Sequence, residues 1–141
     1  MNDAIQLAWF ILRRCAENRT PISHLQLQKI LYFLQRLNLD RTNEPLFTNR
    51  IFAWTFGPVV RDVYYEFSIF SSLRIIPSEV DPNPTIDLAD FLLEEIDRRA
   101  EQRPWSMVDE THQAGRAWDL VFKNGEGNGR EIPLELIRER G

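Results

Sequence analysis

The stretch that decides the fold is SHLQLQKILYFLQ at residues 23–35, followed after a polar loop by LFTNRIFAWTFGPVVRDVYYEF at residues 46–67. Ser23 with Gln26 three residues later has the pattern of a capping box, which predicts that a helix begins here. Leu31 and Leu34 then recur at helical spacing, and further apolar positions widen this row. We therefore expect a helix over about residues 23–38 at the centre of the hydrophobic core.

A β-strand is predicted in the second part of this stretch. Aromatic and β-branched residues alternate with others from Leu46 to Trp54, as is typical of a short strand. Gly57 and Pro58 predict a turn, after which Pro58 can take the first position of the next helix. Residues 73–76 can pair with the strand, so the sequence predicts a small antiparallel sheet beside the helices.

The rest of the chain is predicted to be mainly helical. Asp3, Asp87 and Ser106 are candidate N-caps of three further helices, and Pro133 opens another near the C-terminal end. Residues 77–84 contain three prolines and no periodicity, so they are expected to form a loop. With no internal repeat and no linker, the pattern predicts one compact α+β domain, mainly α-helical, over residues 1–141.

Composition restricts the classes of function. The chain has 141 residues, 43% of them apolar, and a formal charge of −4. This acidic balance argues against nucleic acid as a partner, because phosphates require clustered positive charge, and it favours a basic partner. The N-terminus does not resemble a signal peptide, and no apolar run approaches the roughly 20 residues that cross a bilayer. A cytoplasmic protein without membrane contact is the simplest interpretation, and the single cysteine agrees with it.

No constellation of residues indicates catalysis. The sequence lacks a metal-ligand cluster, a glycine-rich phosphate loop and a nucleophile beside a histidine, so we predict no catalytic residue, metal or cofactor. His112 follows Val108 by four residues and is expected to point inward, where a hydrogen-bonded structural role is the alternative to catalysis. His24 is expected to be exposed, and Cys15 is expected to be a small buried apolar residue.

The candidates for binding a partner lie around the Gly57 turn and, as a partner-facing patch formed by Lys29 and Tyr32, on the helix before it. A turn between a strand and a helix presents rigidly held backbone, and aromatic residues and arginine are frequent in binding hot spots. A short strand can also leave an unpaired edge that accepts a strand from a partner. The alternative is that these residues form the edge of the core. The candidates are Lys29, Tyr32, Trp54, Gly57, Pro58, Val59, Arg61 and Tyr64.

The order of these motifs resembles the Panacea domain family, the antitoxins similar to SocA, which are also known as phage-associated proteins. The resemblance runs from about residue 4 to the C-terminal end. Ile30 and Phe33 are conservative departures from the family pattern, and Arg61 stands where many relatives have a different residue. The matching residues are Leu27, Lys29, Leu31, Tyr32, Leu46, Ala53, Trp54, Gly57, Pro58, Val59, Val63, Tyr64, Thr111, His112 and Trp118.

The resemblance implies an antitoxin that neutralises a cognate toxin by direct protein contact. In the SocA-like branch it also implies an adaptor that delivers the toxin to a AAA+ protease. Two other classes stay open from the residues alone. The first two helices could act as the helix-turn-helix of a DNA-binding regulator in a phage or mobile element, with Gln26, Gln28 and Lys29 facing the groove. An enzyme would require a polar pocket around His112.

Overall fold

The computed structural model describes residues 2–141, and this part of the chain forms an α+β fold that is mainly helical, as predicted. It contains seven α-helices and two small antiparallel sheets of two strands each. The helices are α1 (Ala4–Glu17), α2 (His24–Thr42), α3 (Arg61–Phe67), α4 (Asp90–Ala100), α5 (Pro104–Thr111), α6 (Ala117–Phe122) and α7 (Leu134–Arg140), and the strands are β1 (Ile22–Ser23), β2 (Ile51–Trp54), β3 (Gly57–Val60) and β4 (Arg74–Ile75).

The helix α2 lies at the centre of the fold. The predicted capping box is present at its start: the Ser23 side chain accepts from the Gln26 amide, and the Gln26 side chain accepts from the Ser23 amide. Its end is set by Asn43, which adopts the left-handed conformation that commonly terminates helices. Leu31 and Leu34 have no exposed surface, because α1, α4, α5, α7 and β3 all pack against this helix. The prediction of a central helix is therefore confirmed.

The helix α1 covers one side of α2 and begins as predicted, with the Asp3 side chain accepting a hydrogen bond from the Ile5 amide. Trp9 on its buried face packs against Phe67 of α3, with ring centroids 4.7 Å apart. Cys15 is buried in the core, as expected. No helix in residues 2–141 combines the length and the apolar character needed to cross a membrane.

The predicted pairing between residues 47–54 and residues 73–76 is wrong. Instead β2 pairs with β3 in a hairpin, in which Ile51 lies opposite Val60 and Trp54 lies opposite Gly57. β4 pairs separately with β1, Ile22 lying opposite Ile75. The hairpin loop contains only two residues, so closing it costs little chain entropy compared with the distant pairing that the alternation suggested.

The prediction that Pro58 begins a helix is wrong as well, because Pro58 lies inside β3 and α3 begins at Arg61. Pro58 lies opposite Ala53, whose amide and carbonyl bond outward to Arg130 and Gly129 at 2.8 and 2.7 Å. Ala53 and Pro58 therefore form a pair that exchanges no backbone hydrogen bonds, and a residue without an N–H is tolerated there.

Two of the predicted caps are also wrong. Ala89, not Asp87, precedes α4, and Arg103 precedes α5, which begins at Pro104 before the expected cap Ser106. Proline suits the first position of α5 because its fixed φ matches the helix and its missing N–H would be unpaired there anyway. Pro133 directly precedes α7, close to the prediction.

Candidate partner-binding site

Both edges of the β2–β3 hairpin are occupied by other parts of the chain. On the β2 side, the Ile132 amide donates to the Ile51 carbonyl at 2.8 Å, next to the two bonds that Ala53 makes. On the β3 side, the Gln28 side chain accepts from the Val60 amide at 2.9 Å and donates to the Val60 carbonyl at 3.3 Å. The expectation of a free strand edge here is therefore wrong, because the polar groups that would bind an added strand are already paired.

Lys29 also pairs with the hairpin, from a fully buried position. Its Nζ donates to the Pro58 carbonyl at 3.3 Å, and its side chain has no exposed surface. No carboxylate in residues 2–141 lies within ion-pair distance of this ammonium group. Burial without a compensating charge lowers the pKa of Lys29 to about 7, since a charged group removed from water favours its neutral form.

Gly57 is required by the position of Lys29. A Cβ atom on Gly57 would lie 2.7 Å from Lys29 Cε and 3.0 Å from Thr111 Oγ1, and the φ angle of Gly57 is +117°. A residue with a side chain is disfavoured there by both the contact and the backbone conformation. Gly57, Lys29 and Thr111 therefore fit together as one packing unit.

An aromatic pair joins His112, directly after α5, and Trp118 of α6 to the end of strand β2. The Trp118 indole donates from Nε1 to the Trp54 carbonyl at 2.8 Å, and its ring stacks on His112 with centroids 3.7 Å apart. Burial lowers the pKa of His112, and the charge of Lys29 lowers it further. His112 Nε2 is buried and has no hydrogen-bond partner in the part of the chain that the structure describes, so the expected hydrogen-bonded structural role is not seen at this atom.

A cavity of about 590 Å³ opens beside the hairpin, and we call it the hairpin cavity. Trp54 and Tyr64 meet in it edge to face, with centroids 4.8 Å apart, and most of the surface that lines it is apolar. Its polar contributors include the buried His24, Gln28 and Lys29. The lining residues are His24, Leu25, Gln28, Lys29, Trp54, Thr55, Phe56, Val59, Tyr64, Ser71, Asn128 and Gly129.

Exposed aromatic side chains lie at or next to the residues that line this cavity: Phe56 lines it, Trp105 contacts Phe56 and Tyr65 contacts Tyr64. We call Phe56, Tyr65 and Trp105 the aromatic rim. Phe56 is 55% exposed and Trp105 is 58% exposed, and their rings meet edge to face with centroids 5.4 Å apart. Tyr65 is 69% exposed and packs against Tyr64. Large aromatic side chains beside a concave apolar site have the composition of a binding hot spot.

The structure brings most of the predicted partner-binding residues to this site. Lys29, Trp54, Val59 and Tyr64 line the hairpin cavity, and Gly57 and Pro58 belong to the strand beside it.

The two remaining candidates lie away from the cavity lining. Arg61 is exposed and places its guanidinium 3.7 Å from the centre of the Phe52 ring. Tyr32 is buried next to Phe33, and burial raises its pKa to about 12.

His24 is a site residue that the sequence reasoning placed wrongly, since it was expected to be exposed. Only 6% of its surface is exposed, and its Nε2 lies 3.1 Å from the Gln28 amide nitrogen. Burial, followed by the charge of Lys29, lowers the pKa of His24 to about 4, so the imidazole is neutral at pH 7. The spacing of four residues between His24 and Gln28 on α2 is the signal that could have indicated this contact.

The helix-turn-helix interpretation does not agree with these positions. Gln26, Gln28 and Lys29 were the residues expected to face a DNA groove. All three are buried, with at most 8% of their surface exposed, and they bond to the protein itself. They cannot form the base-reading face of a helix in this fold.

Comparison with known proteins places this fold in a family of antitoxins. The family model described as "Antitoxin SocA-like, Panacea domain" matches residues 27–119. Antitoxin SocA of Caulobacter vibrioides (strain NA1000 / CB15N) is 30% identical over 149 aligned residues, which cover 95% of this chain and 77% of that relative. No solved structure matches the chain. The chain therefore belongs to the SocA-like antitoxin family with a Panacea domain.

Proposed function

We propose that this chain is a cytoplasmic, single-domain antitoxin that neutralises a cognate toxin by direct binding and has no catalytic activity of its own. Membership of the SocA-like antitoxin family supports the class of function. The observation that supports direct binding is the hairpin cavity with its aromatic rim, because exposed Phe, Tyr and Trp side chains clustered beside an apolar cavity are unusual on a surface that binds nothing.

The binding surface is held rigidly in the free protein. Residues 129–132 fix the β2 edge of the hairpin, and Gln28 and Lys29 fix the β3 edge. A surface that is already ordered loses little conformational entropy on association, so more of the contact energy contributes to affinity. The chain's formal charge of −4 speeds association with a basic toxin, and this advantage falls with added salt.

Growth rescue tests this function. The protein encoded by the reading frame beside this one is expressed alone and together with the antitoxin, and the chain is expected to restore growth. Phe56→Glu places a charge on the aromatic rim and is expected to abolish rescue, because desolvating an unpaired charge opposes apolar binding.

The matched control is Val80→Glu. Val80 is 94% exposed and lies in the loop that Arg13 fixes by hydrogen bonds, away from the hairpin cavity. Rescue that is lost with Phe56→Glu and retained with Val80→Glu supports the proposal. Equal rescue by both variants would place the interface elsewhere.

Delivery of the toxin to a AAA+ protease is the alternative that the family resemblance implies. The two mechanisms differ in the fate of the toxin. Direct neutralisation leaves the toxin half-life unchanged while growth is restored, whereas delivery shortens that half-life. A chase of the tagged toxin after synthesis is stopped distinguishes them in the same cells.

A further inference from the structure

We propose that the toxin segment entering the hairpin cavity carries a carboxylate next to an apolar side chain, and that this carboxylate pairs with Lys29. The inference rests on the proposed function, and it adds the chemistry that the partner presents. It is supported by a buried lysine with no carboxylate of residues 2–141 within ion-pair distance and by the apolar cavity that this lysine helps to line.

The role of Lys29 inside the free protein does not explain its charge. Closing the β3 edge at Pro58 requires one N–H donor, and Lys29 uses one donor of its three there. Gln28 closes the same edge at Val60 with a neutral amide. A neutral side chain would therefore suffice for the hairpin, and a lysine without a nearby carboxylate is costly to bury. A partner carboxylate removes this cost by supplying the missing counter-ion.

The hairpin cavity suits an apolar group that accompanies the carboxylate. Its volume of about 590 Å³ lies within the range of about 300–1,000 Å³ that holds drug-sized ligands. Trp54, Tyr64 and Val59 supply apolar walls. Lys29 has no exposed surface in the free protein, so pairing requires its terminal bonds to rotate from the Pro58 carbonyl toward the cavity. Flexible torsions at the end of a lysine side chain permit this rotation.

The charged state of Lys29 makes such binding depend on pH. The titratable groups that face it are His24 on α2 and His112 at the end of α5, and the pKa of each is lowered, so both stay neutral above pH 7. The pKa of free Lys29 is about 7, so at higher pH a carboxylate has to bind together with a proton. Affinity is then expected to fall about tenfold for each pH unit above about 8.

The probe is phenylacetate, with phenylacetamide as the uncharged analogue of the same shape. Lys29 and Lys123 are the two lysines of the chain, so the full-length protein labelled with ¹³C-lysine gives one NMR signal from the cavity and one from an exposed control. Phenylacetate is expected to shift the Lys29 signal saturably, to raise the pKa of Lys29, and to bind at least about tenfold more tightly than the amide. Lys29→Met is expected to abolish this preference and Lys123→Met to retain it.

A toxin competition completes the experiment. Toxin binding is expected to raise the pKa of Lys29 and to displace phenylacetate. Equal binding of the two probes, binding of neither, or a toxin complex in which the pKa of Lys29 is unchanged would overturn the carboxylate inference. A toxin that does not bind the chain at all would instead refute the proposed function, and the phenylacetate titration would still decide whether the cavity accepts a carboxylate.

Discussion

Replacing Lys29 by methionine is expected to change how the free energy of unfolding depends on pH. Methionine has a similar length and no charge, so the core stays filled. The pKa of Lys29 falls from 10.5 to about 7 in the folded protein. At about 1.4 kcal/mol for each unit of pKa, burial of the charged form costs at most about 5 kcal/mol. Lys29→Met removes this cost, and the loss of the hydrogen bond to the Pro58 carbonyl offsets about 1–3 kcal/mol of the resulting gain in stability.

The direction in which stability changes with pH follows from the numbers of protons that the unfolded and folded chains bind. Between about pH 7 and pH 10.5 the unfolded chain keeps the Lys29 proton that the folded chain has lost, so the stability of the wild-type protein rises with pH in this window. Lys29→Met lacks this contribution. The variant is therefore expected to be more stable than wild type by about 2 kcal/mol near pH 6 and less stable near pH 10.

Urea unfolding at pH 6, 8 and 10, followed by tryptophan fluorescence, measures this difference. Lys123→Met is the control, because Lys123 is exposed and its removal is expected to leave the difference from wild type close to zero at every pH. A Lys29→Met variant that is destabilised by the same amount across the whole range would refute the reasoning, because a buried charge without a counter-ion could not then be present in the folded protein.

Three further predictions concern the packing and the surface around the site. Gly57→Ala is expected to destabilise the fold by about 1–3 kcal/mol in urea unfolding, because φ is +117° and the added methyl group meets Lys29; an unchanged midpoint would contradict this. Glu110 receives two hydrogen bonds from Arg99, at 2.7 and 2.9 Å, and these bonds lower its pKa to about 2. The ionised Glu110 carboxylate, which is 29% exposed, is expected to stabilise the fold by about 1–2 kcal/mol after screening. This contribution is expected to be lost as pH falls from about 4.5 to 2, and Glu110→Gln is expected to lack it at every pH. Arg61→Glu removes the stacking on Phe52 and is expected to weaken toxin binding about tenfold with less than about 1 kcal/mol lost in stability; unchanged affinity would place the interface away from Arg61.

Local patterns predicted the central helix well. Ser23 and Gln26 specify the start of α2 through bonds within one turn, and Leu31 and Leu34 specify its buried side through their spacing. These signals are confined to neighbours in the sequence, so a single sequence contains all the information needed to interpret them. The fold class followed because such helical patterns account for most of the chain.

The hairpin could not be predicted in the same way. Pro58 fits both the first turn of a helix and a strand position that forms no backbone bonds, and local sequence does not distinguish the two. In the structure this segment is held as a strand by contacts distant in sequence, among them Gln28, which pairs with Val60 across 32 residues. The hairpin cavity depends on the same long-range packing, since α2, the hairpin, α3 and residues 128–129 all contribute to its lining. Phe56 and Trp105 therefore become recognisable as site residues only in the structure.

The most direct test of the account is the affinity of the toxin for variants of the aromatic rim. Isothermal titration calorimetry compares wild type with Phe56→Ala, with Trp105→Ala and with the distant control Val80→Ala. Each rim variant is expected to weaken binding by about 1–3 kcal/mol, or roughly 5- to 150-fold, with little change in stability, since these side chains are more than half exposed in the free protein. Val80→Ala is expected to bind like wild type. Rim variants that bind the toxin as tightly as the control would contradict the central claim that the toxin is neutralised at the hairpin cavity.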